Sequence, residues 1–446
     1  MKALTTAHFP RFCSQRLMMS LLFAIALGCV FITSLIVAKE SELVSYSGFQ
    51  VWKIKPSSEE DRQFVSEMID FYKLQMWNER QIPDEPIDVL VPPQSRKKLN
   101  SKLADRKIPY VVAHGDLQTV IDNQNTNTNK NTSDTKAAYN MDWTSYHRLS
   151  NIYAFLTYLN TTYPRLVQLI NIGFHAREWI SPAVTTCIIQ QLVEVPANAK
   201  LLSNVDWSIM PVVNPDGYEF SHTRDRLWRK TRSMTTNPAC RGVDPNRNFG
   251  YKWGGMGAST NPCEETYRGT KAFSEPETLA TSNFILSKKN QIRLYLTLHS
   301  FGQVALIPYG YDVVYAPDHN DLLALANDAT SKFVEYTYEI GGSDDWAKSI
   351  GIKYSYTFEL PAKGTYDFLL PASDILPVCE DFFPAFDVFA AKVATCCGPA
   401  TTTIKPRTTP TTRKTTASTR KTTTTRRQPT TATSKRTTTK CPCVCG

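Results

Sequence analysis

The decisive stretch runs Leu166-Val-Gln-Leu-Ile-Asn-Ile172, then Gly173-Phe174, then His175-Ala-Arg-Glu178-Trp179. Seven mostly apolar residues read as a buried strand, and a histidine and a glutamate then stand three apart before the next apolar segment begins. On one tight turn such a pair can point the same way, which suits two ligands of a divalent metal. Taken alone it also reads as a solvated turn. The third ligand should come from a distant strand end, and His299 fits, because Leu294-Tyr-Leu-Thr-Leu-His-Ser300 passes from a buried strand into a loop beginning Phe301-Gly302. Two histidines and one carboxylate form the donor set of a catalytic zinc site, with a fourth position left for water. A base must accompany it. In Tyr354-Ser-Tyr-Thr-Phe-Glu-Leu360 the aromatics alternate against Ser355, Thr357 and Glu359, so Glu359 leaves the strand toward a different surface. It reads either as that base or as a strand-end carboxylate reaching solvent.

Working outward, apolar strands such as Leu294–Leu298 alternate with amphipathic segments such as Tyr146–Leu159, which predicts an α/β body over residues 139–397, a mixed central sheet flanked by helices. Residues 39–124 read as a smaller α/β domain. Gly48–Lys55 alternates as a strand, and Ser57 with Glu60 has the form of a capping box ahead of Phe64, Met68 and Tyr72 at helical spacing. Ile87–Val91 and Pro109–Ala113 are further strands, with a Lys-rich helix, Gln94–Lys107, between them. The polar run around Asn123–Thr132 cannot pack, so residues 125–138 read as a cleavable linker with Lys130 and Lys136 as basic cut points.

The net charge of +9 belongs to one end of the chain. From Gly398 onward there are eleven Lys or Arg and no acid, which leaves 39 basic against 41 acidic residues before it. The body is near neutral and gives no ground for a nucleic-acid partner. Half of residues 401–440 are Thr, a composition unable to bury a core, so 398–440 reads as a basic, O-glycosylated stalk suited to acidic glycans, followed by a Cys-rich tail at 441–446. At the other end, Leu17–Ala38 carries no charge and follows Lys2, Arg11 and Arg16. It is expected to act as a signal peptide over 1–38, cleaved or retained as an anchor, placing the rest outside the cell, where disulfides form. Cys240 and Cys263 bracket a loop rich in Gly, Asn and Pro and are read as its staple; Cys396 and Cys397 close the body, and the three tail cysteines are expected as free or intermolecular thiols.

An ordered set of motifs joins these features. His-Ala-Arg-Glu-Trp at 175–179 is followed by Pro-Val-Val-Asn-Pro-Asp-Gly-Tyr at 211–218, Arg-Leu-Trp-Arg-Lys-Thr-Arg at 226–232 and Val-Asp-Pro-Asn-Arg-Asn at 243–248. Then come Thr-Leu-His-Ser at 297–300, Pro-Tyr-Gly-Tyr at 308–311, Gly-Gly-Ser-Asp-Asp-Trp at 341–346 and Phe-Glu-Leu at 358–360. From about residue 46 to 395 the chain resembles the secreted zinc metallocarboxypeptidases of the pancreatic A/B type in their proenzyme form. The resemblance implies an exopeptidase that removes C-terminal residues, is made as a zymogen and is released by a trypsin-like protease. It implies that His175, Glu178 and His299 hold Zn2+, that Glu359 is the general base and that Arg229 stabilises the oxyanion. By the same resemblance Asn246 and Arg247 grip the substrate α-carboxylate, Arg177 and Arg226 are accessory cations along the cleft, and Asp244 orients a zinc-bound histidine. Asp344, the first residue after Gly-Gly-Ser, would lie at the base of the side-chain pocket and favour a terminal Lys or Arg.

Three stretches depart from that pattern. Gly173-Phe174-His175 are contiguous where the family has a strand-turn-strand insertion, the segment Tyr338–Gly341 is too short for the loop that carries a mobile tyrosine, and no Arg-Asp follows Glu359-Leu360. The rival to an active exopeptidase is an inactive carboxypeptidase-shaped protein held in extracellular matrix by its tail. A mucin-like structural protein would account for the tail alone.

Overall fold

The computed structural model describes residues 43–77, 85–124, 139, 141–163, 168–171, 173–203, 205–312, 314–330, 342–361 and 366–395. The leader, the linker with Lys130 and Lys136, Tyr336, Tyr338, Cys396, Cys397 and the Thr-rich tail lie outside them. Among the described residues no helix is long and apolar enough to cross a membrane.

The first domain is a four-stranded antiparallel sheet in the order β2-β3-β1-β4, formed by β1 (Gln50–Ile54), β2 (Gln75–Met76), β3 (Ile87–Val91) and β4 (Tyr110–His114). Helices Glu59–Tyr72 and Pro93–Asp105 cover one face, enclosing Ile54, Val65, Val89, Leu99 and Leu103. The first helix is capped one residue later than the Ser57–Glu60 pattern predicts. Ser58 is the extended residue, its hydroxyl accepts from Asp61 N at 3.1 Å, and Ser57 instead donates to the Asp61 carboxylate. Asp61 thus takes the place expected for Glu60 at the third helical position.

Among the described residues the second domain carries two sheets. Strand β5 (Gln168–Asn171) pairs in parallel with β6 (Ser208–Met210), and β9 (Tyr354–Leu360) lies between β7 (Leu294–Ser300), parallel to it, and β8 (Val304–Leu306), antiparallel. The mixed pairing agrees with the predicted class. The division into two sheets accords with the contiguity of Gly173 and His175, which leaves no chain there for intervening strands. All seven residues of β9 are buried, with Tyr356 and Phe358 packed on Phe389 of the helix Pro384–Thr395. In that register His299 lies directly opposite Glu359, at the carboxyl ends of two parallel strands. Crevices at such strand ends are where open α/β sheets place their ligands.

Among the described residues two disulfides close the body. Cys240–Cys263 is the staple expected from the sequence, while Cys187–Cys379 joins the helix Ile180–Glu194 to the helix Ile375–Phe382 across the core.

Candidate active site

Gly173 sets the position of the first ligand pair. Its φ of +87° suits a residue without a side chain, and a Cβ there would come within 2.7 Å of the Pro211 carbonyl. The chain turns sharply off β5, and Phe174 packs parallel to the His299 ring at 5.8 Å. The turn His175–Trp179 leads into the helix Ile180–Glu194, and Ala176 N donates to Arg229 O. That bond docks the Arg226–Arg232 segment against the ligand turn.

His175 Nδ1 lies 2.7 Å from Glu178 Oε1 and 3.1 Å from His299 Nδ1, which is itself 3.1 Å from Glu178 Oε2. All three residues are buried and one ligand atom from each falls within a 4.8 Å span. With His175 Nε2 turned toward Asp244 Oδ1, two imidazole Nδ1 atoms and a carboxylate converge as a set of donor atoms that one cation can bridge. That donor set fits zinc, as borderline imidazole and carboxylate ligands in a dry site. Burial alone would push the Glu178 carboxyl up, but the two imidazoles pull it well below the usual carboxylate range, so it is an anion ready to bind a cation.

Asp244 ties this cluster to Arg229. Completely buried, it caps the short turn Pro245–Arg247, with Oδ1 accepting from Asn246 N at 2.8 Å and lying 3.0 Å from His175 Nε2. Its Oδ2 accepts from Arg229 Nε and Nη2 at 3.1 and 2.9 Å. Burial opposes its charge, yet Arg229, His175 and Arg247 together hold its carboxyl well below the ordinary value. One carboxylate therefore fixes the His175 ring and the Arg229 guanidinium together. The link to His175 is the contact that an orienting acceptor would make; the link to Arg229 was not legible in the sequence.

Asn246 Oδ1 accepts from Ser343 N at 3.1 Å, joining the 244–247 turn to the helix Ser343–Ser349, and Arg247 donates from Nε to Gly257 O and from Nη1 to Asn246 O. Of the two acids on that helix, Asp345 accepts from Gly310 N and Tyr311 N and anchors the neighbouring turn. Asp344 is buried beside Tyr295, whose hydroxyl is pushed up by burial and by the Asp344 charge. Arg177 and Arg226 stand apart from this wall. The Arg177 guanidinium lies 4.3 Å over the Phe368 ring. Arg226 stacks on Trp179 at 3.7 Å and donates to Gln124 Oε1, Arg177 O and Phe368 O, all at 2.8 Å. Its fork is spent on bracing the end of the first domain against the body.

The first domain closes over this region. Tyr46, Val51, Trp77, Leu90 and Leu117 form one apolar cluster with Leu227, Phe301, Phe368 and Leu369 of the body. The Tyr46 hydroxyl donates to Asp225 at 2.6 Å, and the Trp77 indole N–H donates to Asp367 at 2.8 Å. Neither partner was foreseeable, since each joins residues more than 170 positions apart.

Comparison with known proteins agrees with this architecture. Residues 52–124 match the carboxypeptidase activation peptide family and residues 167–385 the zinc carboxypeptidase family. Carboxypeptidase A4 of Mus musculus is 33% identical over 385 residues, covering 75% of this chain and 91% of its own. Carboxypeptidase B of Homo sapiens is 33% identical over 391 residues, covering 78% and 94%. Among solved structures, carboxypeptidase A from Helicoverpa armigera superposes with a TM-score of 0.71 at 26% identity, over 79% of this chain and 99% of that one. With an activation-peptide domain packed on a body that holds a buried cluster of two histidines and a glutamate, the chain belongs to the zinc carboxypeptidase family and is an exopeptidase made in proenzyme form.

Proposed function

We propose that His175, Glu178 and His299 hold Zn2+ and that residues around them remove one C-terminal residue at a time from extracellular peptides after the first domain has been cut away. The convergence of two imidazoles and a buried carboxylate within 4.8 Å carries the reading. Zinc bound there would polarise the scissile carbonyl and acidify the attacking water. Glu359, opposite His299 in the sheet, takes the proton of that water and hands it to the leaving amine. Arg229, aimed by Asp244, offers a permanent cation to the oxyanion that develops. Asn246 and Arg247 receive the substrate's α-carboxylate, a task for which the guanidinium fork is suited. The inactive matrix-protein reading has no use for a base paired in register with a metal ligand. The apolar leader supports secretion, and the tail's eleven cations support contact with acidic extracellular glycans.

The test is limited trypsin treatment of the full chain. A fragment ending near Lys130 or Lys136 is released, activity rises, and a peptide with a free C-terminus is hydrolysed while its C-terminally amidated twin is not. Full activity in the uncut chain, or cleavage of the amidated twin, would overturn the assignment.

The buried Asp344 supports a preference for terminal Lys or Arg, because its negative charge attracts a cationic side chain and does nothing for Phe or Leu. Truncating one partner of a buried charge pair costs about 2 kcal/mol or more, so Asp344→Ala should erase an Arg-over-Phe advantage in kcat/KM of at least about 30-fold. A preference for Phe in the unmodified enzyme would remove Asp344 from the pocket.

A further inference from the structure

Asp367 takes no part in the chemistry above, yet it is only 2% exposed and lies, with φ +51°, beneath the first domain. Among the described residues, the polar groups set against its carboxylate all come from that domain. Trp77 Nε1 donates to it at 2.8 Å, Lys53 Nζ of β1 lies 3.8 Å away and His114 Nε2 of β4 3.9 Å away. Asp88 of β3 adds a second negative charge and holds the same lysine more closely, at 2.9 Å. From the body, Phe301, Phe368 and Leu369 complete an apolar surround with Trp77. The body's two cations beside this loop are engaged with Phe368, Arg177 over its ring and Arg226 on its carbonyl.

A carboxylate placed there loses more to burial than it regains. Water is excluded, the ammonium is shared with Asp88, and the indole supplies one neutral hydrogen bond. Burial accordingly pushes the Asp367 carboxyl up to about 6 against the pull of Lys53 and Trp77, with Asp88 adding to the rise. When the first domain lifts away, these groups leave together and the carboxyl meets water, where an aspartate titrates near about 4. The docked form therefore keeps a proton that the separated form gives up. By linkage, docking is strongest below about pH 4, where both forms are protonated, and weakens as the pH rises through 6, where the docked form must bury an anion. Neither neighbour reverses the sign. The Lys53 ammonium, where Asp367 and Asp88 outweigh burial, is held above its ordinary value and stays charged. The Asp88 carboxyl is also raised by burial, but it keeps its lysine when the domains part, so its proton balance changes little.

We infer that Asp367 is a proton-operated latch for the first domain, neutral and closed in acidic surroundings, ionised and loosened at neutral pH. The inference deepens the zymogen reading and rests on it. A chain already cut between its domains stays covered in acid and opens on reaching neutral surroundings.

The test begins with the full chain cut by trypsin, after which the trypsin is inhibited and the products are equilibrated at pH 5, 6 and 7.5 at constant ionic strength. Size-exclusion chromatography over a dilution series gives the fraction of the first domain that travels with the body, and from it a dissociation constant. That constant should rise about tenfold between pH 5 and 7.5, the change linkage gives for a carboxyl at about 6 when docked and about 4 when free. Asp367→Asn keeps the shape, tolerates positive φ and stands for the neutral acid. It should hold the first domain at pH 7.5 as tightly as the unmodified chain does at pH 5, with little change between them. His114→Gln should retain the tenfold rise. A constant that does not rise with pH in the unmodified chain, a readout that needs no variant to fold, would overturn the inference. So would a rise that survives in Asp367→Asn, or one lost in His114→Gln, which would make the histidine the switch. Hydrolysis of a peptide with a free C-terminus by the separated body reports the zymogen reading independently.

Discussion

Replacing Glu359 by Gln is expected to leave zinc content unchanged and to lower kcat by roughly 10² to 10⁴, the loss that follows removal of a positioned general base. The reasoning is geometric. Glu359 and His299 are register partners in the parallel ladder of β7 and β9, and Glu359 is also the register partner of Val304 of β8, so its backbone is held between two strands beside His299. Gln keeps the volume and the strand pairing while losing the capacity to take a proton. His299→Ala on the same ladder gives the opposite separation: it should lose the metal itself, because one of only three converging donor groups disappears. Metal analysis of the purified variants, set beside kcat for one good peptide, distinguishes the two roles. Wild-type turnover in Glu359→Gln would show that the proton goes elsewhere.

Three of the four strands and two of the helices of the first domain, and the convergence of the three candidate ligands, were legible because their signals are local, whereas the strand Gln75–Met76 and the helix Leu117–Asn123 were not. Alternating residues in Ile87–Val91 and Tyr354–Leu360 give strands whose limits match the observed ones, and the ligands lie three residues apart or at the end of an apolar run. What depends on distant residues was not. Asp244 was expected to orient a histidine, but its second pair of bonds to Arg229 joins positions fifteen apart through a loop with no periodicity. Arg226 was expected to face the cleft, and the partners that take its three donor groups, Gln124, Arg177 and Phe368, come from three separate segments. Asp367 gave no signal at all, since a single acid after Tyr366 resembles any turn residue. Its meaning comes only from the domain packed over it.

The Cys187–Cys379 bond should be the largest single contribution to the stability of the body. It closes a loop with a sequence separation of 192 residues, so in the chain-entropy account it restrains the unfolded chain by about 5 kcal/mol, against roughly 3 to 4 kcal/mol for Cys240–Cys263 with its separation of 23. Both sulfurs are fully buried between two helices that also pack through Ile188, Leu192, Ile375 and Val378. No spacing cue marks this pair, because each cysteine sits inside an apolar helical run and reads as a core residue. A Cys187→Ala, Cys379→Ala variant keeps apolar side chains at both positions and leaves the metal cluster untouched. At about 2 to 4 °C per kcal/mol for a body of this size, its melting temperature should fall by about 10 to 20 °C. The matching Cys240→Ala, Cys263→Ala variant should fall less, because the loop it opens is shorter. Equal melting temperatures for the first variant and the unmodified chain would show that the helix contacts alone fix this part of the core.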